Sequence, residues 1–470
     1  MREIGSGARS TVDKGQPWAE EQRRRLAAAP VHRNRESSQW CSVARSQSAR
    51  RREDARQDRA APGSARRRPR QRRSMSGAKS QSQARGREQA AGRAARLQYG
   101  ALGLLDAAFS AAVVGPAVVG YWRGTWALSG LYIQPAQDPR LGCLAAVLLG
   151  FCGLLGFSLG QRRLARLLRP GPGPARRALA LGGSRAYTYV FGFCCVNAWR
   201  GAWQALDLYT EHSLLPVAGT TGLSLLALGL MRTLRNISAP PFAISLDGFA
   251  NYFEVPTLFR VDASRDWALY ALDCAFSVGV VGTLVVFVWR GAWALLDLYL
   301  FPESREHSAV GSLVVGYALV GLAFSAQPLA RRGCARLQGL RRLLLADLFL
   351  LLSFLGTVNV WRGIWNALDL YLLPGRPQAS CWLSHVGCFL LLVLLNCSNS
   401  VLVRGVYIDG EEQGGRCVAF PCHYLRLLLQ EERRGREAAA EPGAKQPEGD
   451  ALLAEAAAAA VAPAAPEAAV

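Results

Sequence analysis

Apolar residues in this chain gather into eight runs separated by short polar turns. The runs lie near 101–121, 141–160, 183–199, 213–231, 268–289, 308–327, 343–361 and 382–403. About 20 apolar residues, rising 1.5 Å each, cover the roughly 30 Å hydrocarbon layer of a bilayer. The pattern therefore predicts eight transmembrane helices. The third and fourth runs are interrupted near their ends by Arg185 and Pro216, where a long cation can reach the interface and a proline suits a helix start.

The four odd-numbered runs close on one five-residue pattern, Trp-Arg-Gly-x-Trp. The copies are Trp122-Arg123-Gly124-Thr125-Trp126, Trp199-Arg200-Gly201-Ala202-Trp203, Trp289-Arg290-Gly291-Ala292-Trp293 and Trp361-Arg362-Gly363-Ile364-Trp365. Trp favours the headgroup region, Arg can reach phosphate and Gly permits close helix approach, so the motif suits an outer membrane interface. Two turns after the Arg stand Asp207, Asp297 and Asp369, with Gly130 in the first copy. Within one helix that Arg and Asp are about 10 Å apart, too far to pair. Pairing between neighbouring repeats is expected instead, Arg of one hairpin to Asp of the next, in a ring broken once at Gly130. The motif reads either as a charged, Trp-lined outer mouth or as an interfacial girdle that packs the bundle. Four near-copies favour the girdle.

A longer repeat encloses these. Residues 101–135 align with 268–302 without a gap, and Leu105-Asp106-Ala107-Ala108-Phe109-Ser110 matches Leu272-Asp273-Cys274-Ala275-Phe276-Ser277. The segment Asn236-Ile237-Ser238 through Asp247-Gly248 is echoed by Asn396-Cys397-Ser398 and Asp409-Gly410. The fold expected is thus all-α: a polytopic membrane bundle of eight transmembrane helices made by tandem duplication of a four-helix unit. Residues 98–266 form the first unit with its juxtamembrane segment, and 267–430 the second. An even number of crossings per unit makes the repeats parallel, related by an axis along the membrane normal.

Charge changes the picture at the ends. The net charge is +21, but about 25 Lys/Arg and about 9 Asp/Glu precede residue 98. That stretch, 1–97, has few aromatic or β-branched residues and is expected to be a disordered, solvated tail without a nucleic-acid role. Its cluster from Arg66 to Arg73 is suited to anionic lipid. The Ala/Glu-rich 431–470 is expected to be disordered too. Arg-dense turns at 161–180 and 331–342 mark the cytoplasmic side, which places both termini there. The sequons at Asn236 and Asn396 then lie on the cytoplasmic side and are expected to stay unmodified.

Candidate chemistry is sparse. Asp106, Asp273 and Asp347 fall inside spans, where acidic groups are functional candidates, although all three lie close to the cytoplasmic edge, where a helix N-terminus favours a carboxylate. The duplicated Asp247-Gly248 and Asp409-Gly410 turns belong to two small cytoplasmic elements suited to docking a partner. Cys334, Cys417 and Cys422 sit near membrane ends, where acylation is conceivable. No catalytic set, phosphate loop or metal-ligand spacing occurs, so no cofactor and no enzymatic role are expected.

The eight-span layout and the signature Trp-Arg-Gly-x-Trp followed by Asp-Leu-Tyr-Leu-x-Pro, clearest in Trp289 to Pro302 and Trp361 to Pro374, resemble the fuseless family of multipass membrane proteins. The resemblance spans roughly 98–425. It implies a presynaptic plasma-membrane protein that supports organisation of voltage-gated calcium channels and transmitter release, with channel or active-zone scaffold proteins as partners. A transporter or channel would share the same bundle and stays open as the alternative.

Overall fold

Helix starts are written locally. Asp138 caps the second helix by accepting from Arg140 N at 2.8 Å, with Pro139 at the first helical position, and Asp266 caps the fifth through Leu269 N at 3.0 Å. Ser304 caps the sixth through His307 N at 3.3 Å, and Pro174 and Pro377 open the third and eighth. Each satisfies amides that a helix leaves unpaired at its start, or supplies a residue that has none. The computed structural model describes residues 100–133, 138–171, 173–247, 252–420, 422, 424 and 425. The readings made of 1–97 and 431–470, and of Gly248, lie outside the described residues.

Among the described residues the chain is all-helical, with eight long helices and no strand. They are α1 (Gly100–Tyr132), α2 (Pro139–Leu167), α3 (Pro174–Tyr209), α4 (Leu214–Leu230), α5 (Trp267–Tyr299), α6 (Arg305–Arg336), α7 (Gly339–Tyr371) and α8 (Pro377–Leu394). Six of these are long and apolar enough to cross a membrane: α1, α2, α5, α6, α7 and α8. The 36 residues of α3 include several arginines, and α4 has 17 residues, about 25 Å of rise. The odd helices continue ten residues past the first motif Trp, to Tyr132, Tyr209, Tyr299 and Tyr371. The motif is therefore an interior turn of each helix rather than its end.

The odd helices form an inner ring and the even ones an outer layer, joined at the motif glycines. A Cβ built on Gly201 would stand 2.7 Å from Val147 N on α2, one on Gly363 2.8 Å from Leu313 N on α6, and one on Gly124 2.6 Å from Cys381 O on α8. Gly291 meets the Thr221 side chain of α4 in the same way. Every even helix thus packs on the motif Gly of the next odd helix, three of them by their backbone and α4 by Thr221, and α8 closes onto α1. Such approach leaves no room for a side chain. Gly363→Val is expected to cost at least about 3 kcal/mol, beyond the usual range for overpacking because the obstacle is backbone. A thermal melt of the detergent-solubilised protein at the wild-type midpoint would refute the contact.

The short helices α4 and α8 end alike. Thr233 N bonds Leu228 O at 2.8 Å and Cys397 N bonds Leu392 O at 2.9 Å, the six-to-one closure of a Schellman turn, with Arg232 (φ 56°) and Asn396 (φ 55°) in the left-handed region. The chain then turns inward through the single 3-10 turns Leu234–Ile237 and Ser398–Val401. These begin two arms buried among the inner helices, with Ile237 and Ser398 fully covered.

The arms exchange carboxylates. Asp247 of the first arm accepts from Ser398 N at 2.8 Å, Ser398 Oγ at 2.7 Å and Asn399 N at 2.7 Å, and pairs with Arg185 at 2.5 Å. Asp409 of the second accepts from Leu234 N at 2.7 Å and Arg235 N at 2.8 Å. Matching backbone bonds run from Asp247 N to Asn396 O (2.9 Å) and from Asp409 N to Arg232 O (2.6 Å). Arg232 is thus the counterpart of Asn396, four residues from the register that pairs Asn236 with Asn396. The sequence match followed a shared Asn-x-Ser, whereas geometry follows the helix ends. Of the docking candidates, Asp247 and Asp409 are buried, and their carboxylates tie one arm to the other, while Gly410 serves the turn with φ 69°. Cys334, Cys417 and Cys422 are also buried, which hides their thiols from acylation.

Candidate functional site

Residues four apart share a helix face, so the two Trp of each motif stack along one side of their helix. In all four odd helices that side faces the bundle axis. Trp122, Trp199, Trp289 and Trp361 form a closed ring of edge-to-face contacts with centroids 5.1, 5.7, 5.3 and 5.7 Å apart. Trp126, Trp203, Trp293 and Trp365 form a second ring at 5.7, 5.9, 5.8 and 6.0 Å. Each such contact contributes about 0.5–1.5 kcal/mol beyond area burial. Three indoles of the first ring hold the arms: Trp122 donates to Val401 O (3.0 Å), Trp289 to Ile237 O (3.0 Å) and Trp361 to Pro240 O (2.7 Å). The motif expected as an interfacial girdle that packs the bundle has its tryptophans facing one another at the bundle axis. The first ring is buried, or half-buried at Trp199, and the second half-buried, because four identical faces pack best on one another.

One position further along, roughly 100° around the helix, each motif Arg turns to its neighbour. Arg123 pairs with Asp369 at 2.7 Å, Arg290 with Asp207 at 3.0 Å and Arg362 with Asp297 at 2.7 Å. Each of these three Arg reaches the Asp of the copy before it, with copy one closing onto copy four, so the expected direction, to the Asp of the next copy, is reversed. Outer-layer hydroxyls complete two of the guanidinium groups. Arg123 also donates to Ser380 (3.1 Å) and Ser384 (2.9 Å) of α8, and Arg362 to Ser308 (2.7 Å) and Ser312 (2.6 Å) of α6. Arg290 differs: 1% exposed, it leaves Nη1 and Nη2 without a hydrogen-bond partner among the described residues. Its outer helix α4 places Thr221, as α8 places His385, against the motif Gly. Pro216 and Thr220 then stand where Ser380 and Ser384 would, and the Thr220 hydroxyl turns back to Pro216 O at 2.8 Å.

Arg200 faces the broken position. It donates to Trp126 O at 2.8 Å and lies over the Trp126 ring at 5.7 Å, and a Cβ on Gly130 would lie 2.9 Å from its Nη2. Gly130→Asp is therefore expected to complete the ring, adding about 1–2 kcal/mol from helix propensity and a charge-assisted bond. An unchanged or lowered melting midpoint would show that Arg200 cannot leave its indole.

The acidic residues at the other end of the helices hold backbone. Asp273 accepts from Thr257 Oγ1 (2.6 Å), Phe259 N (3.0 Å) and Val261 N (3.1 Å), and Asp106 accepts from Leu425 N (2.6 Å). Asp347 is half-buried, and its Oδ1 has no hydrogen-bond partner among the described residues. One polar group escaped sequence reasoning. His385, 3% exposed in the middle of α8, bridges Thr125 Oγ1 at 2.8 Å and Tyr189 Oη at 2.9 Å beneath the Tyr121 ring. Its signal was available, since a histidine inside an apolar run merits attention by itself.

Between the first Trp ring and the arms lies a cavity of about 1430 Å3. Its deep walls are indole and aliphatic; its mouth carries Arg162, Arg235 and Arg260, paired with Asp262 (2.5 Å), Glu412 (3.2 Å) and Glu411 (2.9 Å). Burial pushes the Asp247 and Asp409 carboxyls above the usual range, against the pull of Arg185 on the first and of the Arg235 and Leu234 amides on the second.

A sequence model of one protein family, described as Fuseless, matches residues 101–402. No curated protein and no solved structure matches the chain.

Proposed function

Because the chain belongs to the fuseless family, we propose that this membrane protein is a non-enzymatic organiser of the presynaptic plasma membrane that supports placement of voltage-gated calcium channels and thereby transmitter release. The family match carries this reading. The geometry supports it in one respect: the axis is filled by eight indoles, three of them tied to the arms, a construction suited to a rigid scaffold. In this reading α3 and α4 also cross the bilayer, giving eight spans from two four-helix repeats with both termini cytoplasmic. The equivalent turns and exchanged bonds after α4 and α8 support the duplication. Channel or active-zone scaffold subunits would bind the exposed cytoplasmic surface, since the buried arms are engaged internally. Affinity capture of the full chain from neuronal membranes is expected to enrich channel subunits. Recovery no greater than with an unrelated eight-pass protein would sink the proposal.

A second reading, a transporter or channel, is favoured by one observation. Two short helices at corresponding places, each followed by non-helical backbone turned inward around a cavity, are the arrangement from which many transporters build a substrate site. Flux into vesicles containing the purified protein, above that of protein-free vesicles, would support it, and none for a panel of ions and small solutes would remove it.

A further inference from the structure

The cavity between the Trp ring and the arms is lined by two polar groups of different kinds. Asn399, 2% exposed on the second arm, lines it; its Oδ1 accepts from Thr188 Oγ1 at 3.0 Å, while Nδ2 has no hydrogen-bond partner among the described residues. Arg404, also lining, donates to Tyr252 O and meets no carboxylate among the described residues. The neighbouring Arg235 and Arg260 are neutralised by glutamates, whereas Arg404 has no carboxylate partner among the described residues and can take a counter-charge. Deeper in, Trp122, Trp361 and Val285 supply an apolar wall.

A space of about 1430 Å3 exceeds the usual 300–1,000 Å3 of small-molecule sites. Water would be poorly held along indole and valine walls, and native interiors leave few voids of any size. The occupant that satisfies these surfaces has a long apolar body, an oxygen acceptor for Asn399 and an anionic group for Arg404. We propose that this cavity binds an anionic amphiphile, an acyl chain bearing a carboxylate or phosphate head. The site is separate from the organiser role, so failure of channel capture would not touch it.

The probe is cis-parinaric acid, a fluorescent fatty acid excited by energy transfer from tryptophan, added to the full-length protein in neutral detergent and corrected for empty micelles. Saturable binding of the acid is expected, with its neutral methyl ester at least about tenfold weaker, the scale of one charge-assisted hydrogen bond. Arg404→Gln should weaken the acid by about tenfold and leave the ester unchanged. Val285→Phe should weaken both, because the larger ring narrows the apolar part of the cavity. Oleate and phosphatidic acid are then tested as competitors: displacement by oleate assigns a free acid, displacement by phosphatidic acid a membrane lipid, and either supports the site. Equal binding of acid and ester, displacement by neither competitor, or wild-type affinity in Arg404→Gln would overturn it, the last even if Val285→Phe fails to fold.

Discussion

Asp207→Ala is expected to be among the most damaging single substitutions in the bundle, costing about 3–5 kcal/mol, because it strands a buried cation. Arg290 is 1% exposed, and its one bond in the motif ring is to Asp207 at 3.0 Å; its other two nitrogens have no hydrogen-bond partner among the described residues. The equivalent change Asp297→Ala should cost less, about 1–3 kcal/mol, since Arg362 keeps Ser308 and Ser312. The diagnostic variant is the double mutant. In Asp207→Ala/Arg290→Met the unpaired charge is gone, and replacing buried ion pairs by apolar groups is often neutral or better. Most of the lost stability should return. Unfolding of the four proteins in mixed micelles, analysed as a cycle, measures this, and a double mutant no more stable than Asp207→Ala would show that the Arg290 side chain is not the source of the loss.

Asp247→Ala should cost a similar amount, about 3–5 kcal/mol, by leaving two buried amides without an acceptor and Arg185 without its counter-charge. Asp409 accepts from two amides and has no ion pair as close as that of Asp247, so Asp409→Ala should cost about half as much. Both changes should release the arms first, and limited proteolysis at residues 232–247 and 396–409 reads that directly. Arms no more accessible than in the wild type would mean that helix packing alone holds them. The pH dependence has a definite sign. Burial raises both carboxyls above their unfolded values, so the folded state binds protons more readily at these sites. Their contribution therefore improves as pH falls from above the raised values toward the ordinary carboxylate range, and the arm exchange should survive mild acid.

Where the arms lie shows how sequence and structure divide the account. Composition placed the helices, because runs of apolar residues of bilayer length have few alternatives. Spacing also implied that each motif Arg could not reach its own Asp, so a link between copies was legible, as was the gap at Gly130. The family was readable for the same reason: the motif is long and repeated. The direction of the links, each Arg to the preceding copy, depends on how neighbouring helices are rotated, which no local pattern encodes. Likewise, Trp at i and i+4 fixes a shared face but not whether that face meets lipid or three copies of itself. His385 joins Thr125 to Tyr189 across more than 190 positions of chain, and the arms trade carboxylates across more than 150. Such contacts arise only when the ring closes and α8 packs on α1. The sequence by itself determined which segments are helical and which residues recur; the tertiary structure alone decided what the recurring residues face, because burial and pairing belong to the packed helices together.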